Sequence, residues 1–319
     1  MLAQFLGMGL IWGASFLFMK VALEGVSFGQ VVWARLVFGA VTLGAIALIS
    51  RVRLPREPVV WLHFTVVAVT YCVLPYLLFA WAEQYVASSL ASIYNAMTPL
   101  ATAVMASAAF RVERLTRGQI LGLGIGLAGV LVIIAPWHSD ALRGSIWGQL
   151  ACLGAITCYG FSFGYLRRFI SHRDIPATTT ALLNIGIGAM IMIALTPVLA
   201  WHPIVFSWPA LLSLVALGAL GTGIVYIWNM NVLRAWGPTA ASSVTYITPV
   251  VGVLLGIIVL GERLSWNEPV GAVLVLLGVL LTQRLLRLRA PVRWVTVSGM
   301  VQAEPQNRTV LEGSDQDHG

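Results

Sequence analysis

The chain reads as an all-α membrane protein of ten transmembrane helices in two inverted five-helix repeats, and three observations predict this. Of its 319 residues, 59% are hydrophobic and only 10% are charged, with a mean hydropathy of +0.88, whereas a globular domain averages about a quarter charged. Nineteen basic and twelve acidic side chains are too few to cover a soluble domain of this length. Apolar runs of roughly 20 residues, each long enough to cross a ~30 Å hydrocarbon layer as a helix, recur between short polar breaks. Finally, one stretch of the chain occurs twice.

The apolar runs fall at 2–23, 28–50, 59–83, 87–110, 118–136, 145–168, 177–200, 209–233, 239–260 and 269–288. Pro58 and Pro269 stand near helix first turns, where a missing N–H costs nothing. The runs are apolar on all sides, which excludes the two-residue alternation of an outer-membrane barrel. Residues 1–23 lack the basic start and small-residue cleavage site of a signal peptide and are read as the first span. Residues 289–319 are polar and expected to be a disordered cytoplasmic tail. The sequon at Asn307 falls in that tail, on the side where glycosylation does not occur.

The duplicated stretch is Ala87–Gly129. Its landmarks are Ala91-Ser92, Thr98-Pro99, Glu113-Arg114-Leu115-Thr116, Gly122 and Gly129; they return as Ala241-Ser242, Thr248-Pro249, Glu262-Arg263-Leu264-Ser265, Gly271 and Gly278. The first helix of each half repeats as well, with Trp12-Gly13-Ala14-Ser15-Phe16 and Lys20 echoed by Tyr159-Gly160-Phe161-Ser162-Phe163 and Arg167. The repeats therefore cover 1–136 and 145–288. Five spans is an odd number, so the second copy enters the membrane from the opposite side. Such inverted pairs are built for alternating access, with a site between the repeats near the bilayer midplane. Basic residues fix the orientation: with a cytoplasmic N-terminus, fifteen lie in inside loops or the tail and only Arg143 and Arg263 lie outside. Both termini are then cytoplasmic.

Taken together, the Trp-Gly-x-Ser-Phe-x-x-x-Lys run of the first span, Arg35 in the second and the two Ala-Ser…Thr-Pro…Glu-Arg-Leu-Thr/Ser…Gly blocks resemble the drug/metabolite transporter superfamily. Within it they resemble the EamA-like ten-helix transporters, over about residues 2–285. The resemblance implies a bacterial inner-membrane carrier with two EamA domains, commonly an exporter of amino acids, other metabolites or drugs, and leaves the substrate open. Glu83 departs from the pattern, since such proteins often carry a basic or neutral residue there.

Candidate substrate-binding residues are the polar and aromatic side chains at mid-membrane depth: Trp12, Ser15, Arg35, Tyr71, Tyr76, Asn95, Tyr159, Tyr226, Trp228 and Tyr246, with Ser162 beside them. Aromatics with polar tips suit a cavity that strips water from a partly apolar solute while offering hydrogen bonds; each also has an ordinary packing role open to it. Arg35, roughly 10 Å along its helix at 1.5 Å per residue, is a counter-charge for a substrate carboxylate, part of an outer gate, or a structural partner of Glu24 or Glu83. Lys20 is expected to snorkel or pair with Glu24. Ser88, Ser92 and Asn95 share one helix face. Pro99 and Pro249, midway along the fourth and ninth spans, are hinge candidates or static kinks. Gly118, Gly122 and Gly126 form a small-residue face for close packing within the chain, with a homodimer seam as the alternative.

No carboxylate lies deep in a span; Glu83 is interfacial, so exchange, facilitated diffusion and coupling through Glu83 stay open. No phosphate-binding loop is present for ATP use. No cofactor or metal is expected: Cys72, Cys152 and Cys158 sit in apolar runs without ligand spacing. The formal charge of +7 is scattered over short loops and not gathered into a nucleic-acid face. The expected partners are a small-molecule substrate and the lipid bilayer. A membrane-embedded transferase is the competing class, but His63, His138, His172 and His202 are dispersed and no acid–base cluster accompanies them. A drug or cation efflux carrier is a further alternative.

Overall fold

The structure is a computed structural model that describes residues 2–52, 54–112, 115–134, 145–170, 173, 175–229, 231–232, 244 and 247–282; the tail 289–319 and Tyr246 lie outside them. The described residues form helices and connecting turns, with no strand among them. In chain order the helices are α1 (Leu2–Ala22), α2 (Phe28–Ile49), α3 (Pro58–Ala82), α4 (Ser88–Asn95), α5 (Thr98–Val104), α6 (Arg117–Ile134), α7 (Ser145–Phe169), α8 (Ala177–Ala194), α9 (Trp208–Asn229), α10 (Ile247–Leu260) and α11 (Asn267–Thr282). Six of them are long and apolar enough to cross a bilayer. With mean apolarity this high, every peptide group in a span has to be paired along its own helix, which is why the described spans are helical.

Local chemistry sets the helix starts. Ser27 and Gln30 make a reciprocal capping box at α2, the Gln30 amide donating to Ser27 Oγ at 3.3 Å and the Ser27 amide to Gln30 Oε1 at 2.9 Å. Pro58 opens α3 as its first residue, as expected. The fourth span departs from the sequence expectation: α4 ends at Asn95, Ala96 and Met97 form a turn, and Pro99 sits in the first turn of the new helix α5. Pro99 is therefore at a helix start and not a mid-helix kink, because a proline without an N–H is cheapest there. Pro249 lies in α10, and residues 245 and 246 just before that helix are outside the described ones.

Two of the long helices widen locally. α3 passes through a π-helical stretch at Ala68–Val73 and α9 through one at Ala216–Ile224, the kind of bulge often found at functional sites. Helix pairs approach closely where glycines meet. On α6 and α11, a Cβ added to Gly122 would lie 2.7 Å from the Gly278 carbonyl, and one added to Gly129 would lie 2.8 Å from that of Gly271. The small-residue face thus packs within the chain. Gly126 and Gly129 take part, whereas a Cβ on Gly118 would meet nothing within 4 Å, so the face lies one step further along α6 than the spacing suggested.

Cross-helix contacts define two ends of the bundle. One carries the α1, α3 and α10 C-termini and the α2, α4 and α11 N-termini, tied by Lys20, Glu83, Glu262 and Asn267. The other carries Arg51, Arg56, Arg111, Arg117, Arg167, Arg168 and Arg173, with Arg173 Nη1 at 2.9 Å from Glu57 Oε2.

Candidate functional site

Arg35 is the charged centre of the interior. It is buried on α2, where its Nε donates to Thr222 Oγ1 at 3.2 Å and its guanidinium carbon lies 3.9 Å from the centroid of the Tyr76 ring. The π-helical stretch of α9 explains the first contact: Thr222 Oγ1 in turn donates to the Leu217 carbonyl, five residues back, at 3.0 Å, which fixes the hydroxyl towards α2. The second contact is a cation–π pairing, strongest where water is excluded. Arg35 makes no ion pair with Glu24 or Glu83 among the described residues, so the structural pairing open in the sequence is not the one formed. Lys20 also differs from expectation. Its ammonium donates to the carbonyls of Glu83 and, at 3.0 Å, Val86, and not to Glu24, because the α3–α4 turn lies against α1 and offers unpaired carbonyls.

Around Arg35 the fold gathers phenols from three helices. Tyr76 and Tyr226, which stand 150 positions apart, are both buried and lie close together, with Tyr71 beside them. The Tyr71 ring meets Tyr159 edge-on at 5.5 Å between centroids, and Tyr159 reaches Phe79 at 6.2 Å. Trp12 donates its indole N–H to the Gly221 carbonyl at 3.1 Å and packs edge-on against Tyr226 at 6.3 Å. Trp12, Arg35, Tyr71, Tyr76, Tyr159 and Tyr226 therefore form one continuous cluster.

Other candidates lie at its margins or away from it. Ser15 is buried and spends its hydroxyl on the Ile11 carbonyl at 2.9 Å. Ser162 Oγ and Thr70 Oγ1 pair at 2.6 Å across α7 and α3. Trp228 belongs to an apolar group with Met8 and Val225 against which Trp12 of the cluster also packs, its ring against Gly7 of α1. Asn95 is half-buried at the end of α4, its carbonyl accepting the Thr98 hydroxyl at 2.7 Å; it is not joined to the cluster. A narrow, open cleft lies between α2, α8 and α9 towards the arginine-rich end, lined by Leu43, Ala47, Ala181 and Ile227 with Tyr226 on its wall.

Two residues escaped the sequence reading. Thr222 looked like one more apolar-run threonine. Glu262 appeared only as a repeat landmark, yet its Oε1 accepts the Ser88 amide at 2.7 Å and its Oε2 accepts the Ser89 amide at 3.0 Å and the Ser89 hydroxyl at 2.5 Å. It thereby caps α4 from the turn after α10, supplying the negative charge a helix N-terminus favours. Burial by itself pushes the Glu262 carboxyl up, but these hydrogen bonds outweigh it and hold the group below the ordinary carboxylate value. Its recurrence beside Arg-Leu-Ser was the available signal. Cys72, Cys152 and Cys158 are free thiols, and no group of three or more metal-ligating side chains occurs among the described residues.

A bundle of apolar helices with a guanidinium and phenols enclosed in its middle is a multi-pass membrane protein of the solute-handling kind. The chain belongs to the EamA-like transporter family, whose model matches residues 1–135 and 146–284. It is similar to the "Probable terminal-alkyne amino-acid exporter" of Streptantibioticus cattleyicolor, at 26% identity over 86% of this chain and 90% of that one. It is also similar to the "Probable amino-acid metabolite efflux pump" of Escherichia coli, at 24% over 89% and 94%, and to the Bacillus subtilis transporter YoaV, at 24% over 85% and 92%. A crystal structure with 19% identity superposes with a TM-score of 0.60, covering 89% of this chain and 96% of that one, and shares the fold. The protein is thus a membrane transporter and not an enzyme, in line with the resemblance to drug/metabolite transporters.

Proposed function

We propose that this transporter exports small zwitterionic or amphipathic metabolites, amino acids or their relatives, across the bacterial inner membrane by alternating access, with the Arg35 cluster as its substrate site. The observation that carries this reading is a buried guanidinium with no carboxylate partner among the described residues. A cation at membrane depth is costly unless something compensates it, and a bidentate carboxylate is the group its planar fork suits best. Tyr71, Tyr76, Tyr159 and Tyr226 then offer hydroxyls and ring faces to the rest of the solute. The names of two relatives, an amino-acid exporter and an amino-acid metabolite efflux pump, support the same class. A cation-efflux reading has less in its favour, because the cluster presents a positive charge.

The proposed architecture is two five-span repeats, 1–136 and 145–288, inserted upside down relative to each other, with both termini cytoplasmic. The 150-residue offset between the facing Tyr76 and Tyr226 supports it, and so does the gathering of arginines at one end. Pro99, at a helix start, and Pro249, within α10, are the proposed hinges. The test is counterflow of a labelled amino-acid panel in proteoliposomes. Arg35→Gln is expected to lower the rate at least about ten-fold, the value of one charge-assisted pair. Unchanged counterflow by correctly folded Arg35→Gln protein would overturn the assignment.

A further inference from the structure

Glu83, at the C-terminus of α3, has no solvent exposure, and neither of its carboxylate oxygens has a hydrogen-bond partner. Charged and titratable groups face it from several sides. Lys20 on α1 has committed its ammonium to the backbone carbonyls of Glu83 and Val86, and Arg35 on α2 to Thr222 and Tyr76. Glu262, from the turn after α10, has its oxygens filled by Ser88 and Ser89. Cys152 on α7, itself buried, is close enough to feel the Glu83 charge. An ionised carboxylate left dry and unpaired in such a place is strongly disfavoured, so in this closed arrangement the group is held as the neutral acid.

We infer that Glu83 is a proton-binding site that latches this end of the transporter, which in the orientation proposed above is the outer gate. With the proton on, Lys20 is free to bind the two carbonyls and tie α1 to the α3–α4 turn. With the proton off, the carboxylate competes for the same ammonium and calls in water. Either response takes Lys20 from the carbonyls; a Lys20–Glu83 pair would still tie α1 to α3, so it is the water drawn to the charge that separates α1, α3 and α7 at this end. The proton leaves to water and no other bond is broken. The assignment to the outer gate rests on the transport reading, but the latch itself is read without any transported solute.

The experiment uses purified full-length protein in lipid nanodiscs. Infrared difference spectra between about pH 5 and about pH 9 are expected to contain a protonated-carboxyl band that disappears in Glu83→Gln. In parallel, a water-soluble maleimide is reacted with Cys152 in a Cys72→Ala/Cys158→Ala background. Dividing each rate by that of the Glu83→Gln version at the same pH removes the intrinsic pH dependence of the thiol; the Glu83 charge can only slow thiolate formation, so a rise in the ratio reports access. The ratio is expected to rise about ten-fold from the acid to the alkaline value. Lys20→Gln, which unties the latch whatever Glu83 does, is expected to react fast at both. A spectrum unchanged by Glu83→Gln, a flat labelling ratio, or slow labelling of Lys20→Gln would each overturn the latch. Failure of the Arg35 assignment in counterflow would leave these three readouts untouched.

Discussion

At Glu262, two amides and a hydroxyl converge on one half-buried carboxylate, and the sign of its pH dependence follows from that convergence. The folded value lies below the ordinary 4.5, so the stabilisation is complete above about pH 4.5 and is lost as pH falls through the lower folded value. Glu262→Gln is expected to cost about 1 kcal/mol, the low end for a charged acceptor because water still reaches it. In thermal-melting curves its acid limb should be flatter than that of the parent. Single residues were where the sequence was least legible. Spacing gives depth and face, so Arg35 and the phenols could be shortlisted, but a partner 63 or 173 positions away leaves no local trace. Lys20 therefore read as a neighbour of Glu24 when its carbonyls come from Glu83 and Val86, and the Ser89–Glu262 cap was invisible.

Helices were easier to read than their joints. The apolar runs marked nearly every helix, because a hydrocarbon solvent leaves no other way to pair the backbone, and Pro58 marked the start of α3. The break at Ala96–Met97 was missed because hydropathy does not change across it. The α6–α11 contact shows what a glycine face is worth. Gly278→Leu should force the α6 backbone away and cost about 3 kcal/mol, while Gly118→Ala, with open space around it, should be neutral or gain up to about 1 kcal/mol from helix propensity. Denaturant titration of the two purified variants measures both. Equal losses would mean that Gly118 is also buried against a neighbour.

On the scale of the whole molecule, the class was legible from composition and duplication together, and the family match over residues 1–135 and 146–284 agrees with it. Which face of the membrane each end of the bundle meets is a separate matter, for which charge is the only physical guide. The seven arginines at the end remote from Glu83 predict that this end is cytoplasmic. Reporter fusions at residue 1 and residue 319 should therefore both be active only inside the cell. Opposite sidedness would remove the inverted pairing and with it the alternating-access proposal. The length of each polar loop could not decide this, since all of them are short.

The π-helical stretch in α3 ends three residues before Tyr76 and ten before Glu83, so both side chains stand on the regular helix that follows the over-wide turn. Tightening that turn by one residue rotates everything beyond it by about 100° and advances it about 1.5 Å. One slip of backbone register would swing the phenol away from the guanidinium and the acid away from the Lys20 tie in the same stroke. The solute pocket and the outer closure would then answer to a common mechanical element, with no relay of side chains between them.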